Sequence, residues 1–257
     1  MAKLTGAALR GLSMACVVVA PSLFLGGGSA EVVLLAAAAA AVFVFLEYAP
    51  GAPSLVEFRD APPYNRIRFA VLAACLSVGV VLSMDGAGPL PDLVRAIATV
   101  AGAALDVAGS PLAPMVGSAP PALRGDVAAM GGTGLIVMAT ACLAFARAAR
   151  DDGWPFRQGT FNPWINLPTF DPQARDVVAR LRRDGTINVA LGFAVLYLSP
   201  SLAMALGGLP ADGPLLLIWI VSLWVLVPFC LILRGIALRR LAQLLSRAPR
   251  HGGWALG

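Results

Sequence analysis

Charged residues are scarce in this sequence. Only 13% of its 257 residues are charged and 58% are hydrophobic, with a mean hydropathy of +0.80. Soluble globular domains carry about 25% charged and roughly 45 to 50% apolar residues, so this composition excludes a soluble globular fold. A spanning helix needs about 20 apolar residues. The length therefore predicts one integral membrane domain, residues 1–257, with room for roughly five to seven spans.

Histidine is nearly absent as well. His251 is the single histidine and lies in the C-terminal tail, which excludes haem, pigment or zinc sites built on imidazoles inside the membrane. No glycine-rich phosphate loop, Ser/His pair or CxxC motif is present. The sequence therefore predicts no cofactor, no metal, no catalytic residue and no enzymatic activity. The four cysteines lie singly in different apolar stretches, without metal or disulfide spacing; they are Cys16, Cys75, Cys142 and Cys230.

Six apolar stretches of nearly spanning length predict an all-α, polytopic transmembrane bundle. The first also has the outline of a secretory signal peptide, which would leave five spans; we favour an uncleaved span, because Pro21 and the following glycines can end a kinked helix. Six consecutive alanines, 36–41, predict that the second helix is buried among its neighbours, since small residues let membrane helices approach closely. The six stretches cover about residues 11–27, 32–48, 69–84, 128–149, 187–206 and 214–233.

The distribution of basic residues predicts the orientation of the bundle. With six spans and the N-terminus inside, all but Arg95 and Arg124 of the 19 basic residues lie on the cytoplasmic side, in agreement with the positive-inside rule. The C-terminus is then cytoplasmic too.

The positive-inside rule also predicts where residues 92–108 lie relative to the membrane. This segment reads as an apolar helix with one narrow polar stripe. If this helix also spanned the membrane, every basic residue from Arg147 onward would move outside. We therefore predict an amphipathic helix on the outer face, within an excursion over residues 85–127. The stripe consists of Asp92, Arg95, Thr99, Gly102 and Asp106.

Two long segments are predicted on the cytoplasmic side, residues 49–68 and 150–186. The second turns helical after an aromatic stretch, with Asp171 as cap and Pro172 in the first turn. After the sixth span the chain continues as a basic helix over residues 234–248. We expect both helices to lie at the membrane surface. The apolar side of the basic helix is formed by Leu238, Leu241, Ala242 and Leu245.

Aromatic and arginine residues of these segments are the candidates for contact with partners or lipids, because both types are enriched at interaction surfaces and headgroups. Anionic lipids and other membrane protein subunits are the expected partners. The net charge of +5 does not indicate nucleic acid, since clustered arginines in so apolar a chain match lipid headgroups. The contact candidates are Trp154, Phe156, Arg157, Trp164, Arg180, Arg182, Arg183, Arg239 and Arg240. Candidate residues of a solute pathway are Glu47, Tyr197, Ser199 and Ser201.

The leading functional hypothesis is a non-catalytic accessory or assembly subunit of a bacterial inner-membrane complex, such as an energy-transducing one. The bacterial origin is inferred from composition: Lys3 is the only lysine beside 18 arginines, and Ala, Gly and Pro are frequent. The alternative is a channel or transporter for a neutral or lipid-like solute. A third hypothesis is a lipid-modifying enzyme that uses Asp151, Asp152 and Arg157, although the acidic ligands that it needs on one face are missing.

Overall fold

The described part of the chain is built from helices. The computed structural model describes residues 2–49, 55–84, 86, 88–150, 153–156, 159, 161–162, 166–167, 176–209 and 213–247. Its α-helices are α1 (Ala2–Leu25), α2 (Ala30–Tyr48), α3 (Tyr64–Ser83), α4 (Pro89–Leu105), α5 (Leu112–Gly117), α6 (Arg124–Arg150), α7 (Val177–Ala205) and α8 (Pro214–Arg247), with a 3-10 turn at Pro121–Leu123. Six of them, α1, α2, α3, α6, α7 and α8, are long and apolar enough to cross a membrane. The predicted all-α bundle is confirmed, and the chain is a multi-pass membrane protein.

Side-chain contacts bring several helix ends together at one end of the bundle. Tyr64 at the start of α3 contacts Phe145 near the end of α6. Arg240 of α8 donates a hydrogen bond to the carbonyl of Arg150, the last residue of α6. We call this the loop end, because the described parts of the segments between α2 and α3 and between α6 and α7 lie there. That the loop end faces the cytoplasm stays a prediction.

At the opposite end, Arg95 of α4 caps the C-terminus of α3. Its guanidinium donates to the carbonyl oxygens of Val81 (3.3 Å) and Met84, and to that of Gly86 (2.8 Å) beyond the helix. The last carbonyls of a helix have no intrahelical donor and carry partial negative charge. A guanidinium there supplies the missing hydrogen bonds and also balances this charge. Arg95, a member of the polar stripe, therefore forms hydrogen bonds with the preceding span.

α4 is the amphipathic helix predicted outside the spans. It packs on the first turns of α6, where a Cβ added to Gly102 would lie 2.7 Å from the carbonyl carbon of Ala128. Four of its large apolar side chains are exposed, namely Leu90, Leu93, Ile97 and Val100. That α4 lies on the outer face of the membrane stays a prediction.

The expectation that α2 is buried among its neighbours is wrong. Among the described elements α2 packs substantially only on α1, where Ala37 is buried and a Cβ added to Gly11 would lie 2.7 Å from the carbonyl oxygen of Ala41. Ala38 and Ala39 lie on the exposed face. Six consecutive alanines cover the whole circumference of a helix, so such a run does not distinguish one packed face from several.

α7 and α8 extend past the predicted membrane boundaries at the loop end. They have 29 and 34 residues, about 43 and 51 Å at 1.5 Å per residue, against a hydrocarbon core of about 30 Å. The helix predicted to lie separately before the fifth span is instead continuous with it, because α7 begins at Val177. Its predicted start at Asp171 and Pro172 lies outside the described residues.

The basic C-terminal helix is likewise a continuation of the sixth span, and its apolar side points inward. Leu238, Leu241 and Ala242 are buried in the protein, and Leu245 packs against the same core. Protein, rather than lipid, therefore covers the side that we expected on the membrane surface.

α7 and α8 approach each other closely where two glycines meet. A Cβ added to Gly235 would lie 2.6 Å from the carbonyl oxygen of Gly185 and 2.5 Å from Cγ2 of Val189. No side chain fits in this space, so the two backbones contact each other directly, as they do at small-residue contacts of membrane helices.

A proline inside α7 leaves one backbone carbonyl to the neighbouring helix. Pro200 has no N–H, so the carbonyl of Leu196, four residues earlier, receives no helical hydrogen bond. The indole Nε1 of Trp224 in α8 donates to this oxygen at 3.1 Å, and all three residues are buried. An unpaired carbonyl surrounded by lipid is unfavourable by several kcal/mol. The indole therefore replaces the bond that the proline removes.

Gly235→Ala is expected to destabilise the α7–α8 pair. The added Cβ meets backbone atoms, and overpacking of this kind is unfavourable by about 1–3 kcal/mol, against a gain in helix propensity of roughly 1 kcal/mol. Gly125 is the matched control, because it is exposed in α6 and a Cβ there meets nothing within 4 Å. Unfolding by sodium dodecyl sulfate in mild detergent, followed by tryptophan fluorescence, compares the variants. Equal stability of Gly235→Ala and Gly125→Ala would contradict the close contact.

Trp224→Phe keeps an aromatic ring but removes the donor to Leu196, and we expect a loss of about 0.6–2 kcal/mol in the free energy of unfolding. In a Pro200→Ala background the backbone N–H of residue 200 is present again, so the same substitution should have a much smaller effect. A double-mutant cycle in the same unfolding assay measures this coupling. If Trp224→Phe were equally unfavourable in both backgrounds, the indole would act through packing alone.

Candidate functional site at the loop end

An aromatic cluster centred on Phe58 lies at the loop end. The Phe58 ring stacks on the rings of Trp154 and Phe161, with centroid distances of 5.6 and 5.7 Å. It is also tilted against Tyr64 at 4.9 Å. Phe145 makes edge contacts with Tyr64 and Trp154. Such pairs contribute about 0.5–1.5 kcal/mol each beyond the area that they bury. Because the rings come from both loop segments, α3 and α6, the cluster ties four parts of the chain together.

Trp154, predicted as a contact for partners or lipids, lies inside this cluster. Only 4% of its surface is exposed, because the distant Phe58 covers its ring. Phe156 is half-buried and rests edge-on against Phe161, with the ring centroids 5.4 Å apart. Two further contact candidates, Arg157 and Trp164, lie outside the described residues.

Asn166 joins the two loop segments by hydrogen bonds and is fully buried. Its Oδ1 accepts from the N–H of Asp60 at 2.9 Å, and its Nδ2 donates to the Asp60 carboxylate at 3.2 Å. Its carbonyl accepts from the N–H of Phe58 at 3.1 Å. Phe58 has a left-handed backbone with φ at +52°, which is unfavourable by about 1–2 kcal/mol for a residue with a side chain. One asparagine thus helps to hold a strained residue in place.

An ion pair attaches the first loop segment to α8. Nε and Nη2 of Arg234 donate to the two carboxylate oxygens of Glu57 at 2.6 and 2.9 Å, the bidentate geometry of strong arginine–carboxylate pairs. The pair is largely shielded, with 16% of the Glu57 side chain and 27% of the Arg234 side chain exposed. The charge at this end of the sixth span is therefore matched inside the protein.

Arg68 of α3 lies in the same region. Its Nε donates to Sγ of Cys230 at 3.3 Å and its Nη1 donates to Oδ1 of Asn65 at 3.2 Å. Its guanidinium also lies 5.5 Å from the centre of the Tyr64 ring, within the range of a cation–π interaction. Arg68 thereby joins α3 to α8 beside the aromatic cluster.

Glu47, the carboxylate proposed for a solute pathway, lies near the end of α2 and bonds to the described part of the first loop segment. Its carboxylate accepts from the N–H of Val56 at 3.0 Å, and its carbonyl accepts from Nη1 of Arg59 at 2.6 Å. Arg59 also lies 3.5 Å from the Asp60 carboxylate. Glu47 thus holds the first loop segment against the end of α2.

The other pathway candidates lie on α7. Tyr197 and Ser201 are exposed, and Ser199 donates through Oγ to the carbonyl of Val195 in its own helix at 2.6 Å. The structure does not bring them together with Glu47, which lies at the loop end. Transport of a solute stays a prediction.

The arginines predicted to contact lipids or partners differ in their surroundings. Arg180 and Arg183 flank Asp184, at 3.9 and 3.6 Å from its carboxylate. Arg182 and Arg239 are exposed at the loop end. Only part of the predicted positive surface is therefore free of carboxylates among the described residues.

The sequence did not predict the contacts of Asn166, Glu57 and Arg234, which hold the loop end together. Each pairs with a residue far along the chain, so no local motif identified them. Within the described ranges, no group of three His, Cys, Asp or Glu side chains has the arrangement of a metal site. The carboxylates of Glu47, Glu57 and Asp60 accept hydrogen bonds from the chain itself. What the arrangement does chemically is to neutralise charge and to fix the backbone of the loop segments.

Comparisons with known proteins supply no relative: no protein-family model, curated protein or solved structure matches the chain. Its function is therefore inferred from its own residues.

Glu57→Gln should lower the free energy of unfolding by about 1–3 kcal/mol, because it leaves a shielded guanidinium without its charged acceptor. Asp184→Asn is the matched control, since Asp184 makes longer contacts with the more exposed Arg180 and Arg183 and surface pairs contribute at most about 1 kcal/mol. Detergent-based unfolding of both variants measures the difference. An effect of Glu57→Gln no larger than that of Asp184→Asn would mean that the ion pair does not hold the loop end.

Proposed function

We propose that this chain is a non-catalytic subunit of a membrane protein complex and acts in its assembly or support. The observation that carries the proposal is the position of α2. Among the described elements it packs substantially on α1 alone. Its exposed face carries two adjacent alanines, Ala38 and Ala39, between Leu35 and Val42.

Small residues on this face support a contact with a helix of another protein. Lipid tails are as apolar as leucine, so apolarity alone does not distinguish a lipid-facing surface from a protein-facing one. An exposed alanine permits such a contact, because it lets the backbone of another helix approach closely and gain dispersion contacts there. α1 already occupies one side of α2 in this way, through Ala37 and Ala41. The exposed alanines offer a second helix the same kind of surface.

The loop end supports a role without catalysis. The carboxylates of Glu47, Glu57 and Asp60 each accept hydrogen bonds that fix the chain. A general acid or base needs a carboxylate within reach of a substrate, whereas these carboxylates bind backbone or arginine groups. This end therefore fits a rigid platform better than a reaction centre.

The composition supports a bacterial inner membrane as the location, with the loop end in the cytoplasm. Arginine replaces lysine almost throughout the chain, and most basic residues cluster towards the loop end, as the positive-inside rule requires of a cytoplasmic face.

Ala39→Phe tests the proposed contact. Extracted from its native membrane in mild detergent, the parent chain is expected to migrate on native electrophoresis in an assembly clearly larger than its own 26.4 kDa and the detergent around it. The bulky ring on α2 should shift much of the chain to the free form. A parent chain that migrates alone would contradict the proposal.

The matched control is Ala139→Phe, which places the same ring on an exposed alanine of α6. We expect this variant to stay in the assembly. If both variants or neither were released, α2 would not be the contacting helix.

A further inference from the structure

An open groove lies over the last turns of α6 at the loop end. Its volume is about 400 Å³, and the described residues that line it are Leu143, Ala146, Arg147 and Arg150. These residues recur at steps of three and four, so they share one face of the helix. Leu143 is 72% exposed, which shows that the groove opens away from the bundle.

The positive charge of this groove has no counter-ion among the described residues. The described ion pairs involve other arginines, namely Arg59, Arg95, Arg180, Arg183 and Arg234. Arg240 of α8 donates to the carbonyl of Arg150 at 3.4 Å, so α8 lies beside this end of α6. Asp151 and Asp152 follow in the sequence and lie outside the described residues. An anion between Arg147 and Arg150 would relieve the repulsion of these charges.

The order of residues along α6 matches the order of chemical groups in a phospholipid. Leu143 and Ala146 come before Arg147 and Arg150, so the apolar wall of the groove lies on the side of the membrane interior and the guanidinium groups lie at the end of the span. Guanidinium groups bind phosphate through paired hydrogen bonds. Basic sites at the ends of membrane helices bind anionic headgroups. A free phosphate would leave the apolar wall unused.

We propose that this groove binds one anionic phospholipid, with its phosphate between Arg147 and Arg150 and the start of an acyl chain along Leu143. The site is on α6 and involves no residue of α2. It therefore goes beyond the proposed function, and each can fail without the other.

Native mass spectrometry of the full chain in mild non-ionic detergent tests the proposal, with dioctanoyl phosphatidylglycerol as the probe. We expect saturable binding of one lipid, at least tenfold tighter than that of dioctanoyl phosphatidylcholine. Arg147→Gln/Arg150→Gln should weaken phosphatidylglycerol binding about 30-fold and each single substitution about fivefold. Arg147→Lys/Arg150→Lys keeps both charges and should bind within about fivefold of the parent. The single variants preserve the test if the double glutamine variant does not fold.

The matched control removes two exposed arginines elsewhere at the loop end, Arg182→Gln/Arg247→Gln, and should leave binding unchanged. An equal loss in this control would mean that general positive charge attracts the lipid, and would overturn the proposal.

The alternative ligands are tested separately. If glycerol 3-phosphate bound as tightly as the lipid, the groove would be a phosphate site and the lipid proposal would be overturned. Asp151→Asn/Asp152→Asn should bind like the parent; a gain above tenfold would show that these carboxylates already fill the groove. Unchanged phosphatidylglycerol binding by Arg147→Gln/Arg150→Gln would also overturn the proposal.

Discussion

A lipid bilayer supplies no hydrogen-bond partners, so every backbone polar group that a helix leaves free must be satisfied by another part of the chain. Two such groups organise this bundle. The carbonyl of Leu196, freed by Pro200, accepts from the indole of Trp224 on the next helix, and the last carbonyls of α3 accept from Arg95 of α4. In both cases the donor belongs to a different element. The hydrogen bond that satisfies one backbone group therefore also fixes how two helices are placed. An interruption that would be unfavourable in a single helix is used here for a contact between helices.

The contacts change in kind along the spans because the driving forces change. Between spans there is no hydrophobic gain in exchanging lipid for protein, and close approach over small residues such as Gly235 and Gly185 provides the attraction. At the loop end water is within reach. Burial of aromatic rings around Phe58 then gains hydrophobic free energy, and a bidentate pair such as Glu57 with Arg234 is shielded enough to persist. The prolines of the first loop segment disfavour regular helix over most of its length, so side-chain contacts hold this segment where backbone hydrogen bonds hold the helices.

The sequence predicted the six spans and α4 correctly because both depend on local patterns: long apolar stretches in one case, and one polar stripe in the other. It failed where the outcome depended on which neighbour covers a face. The alanines of α2 and the apolar side of the C-terminal helix have the composition of packed surfaces, but composition does not say how many neighbours there are. The same limit applies to the candidate site. The burial of Trp154 and the hydrogen bonds of Asn166 were not predicted, because their partners Phe58 and Asp60 lie in a segment far away along the chain.

Arginines in this chain have two physical roles that a sequence does not separate. Some are matched by groups of the chain itself, and others contribute to the charge that faces the membrane. Arg59 and Arg234 are matched by carboxylates within the chain, so they contribute more to the fold than to the charge facing the membrane. The opposite end shows the same effect more strongly. Its Arg95 is surrounded by the carbonyls of α3 and lies 3.3 Å from Asp92, and Arg124 donates to a backbone carbonyl at 3.4 Å. Both arginines at that end therefore bond to the chain itself. Exposed arginines remain at the loop end, where they are available to the headgroups that orient a membrane protein.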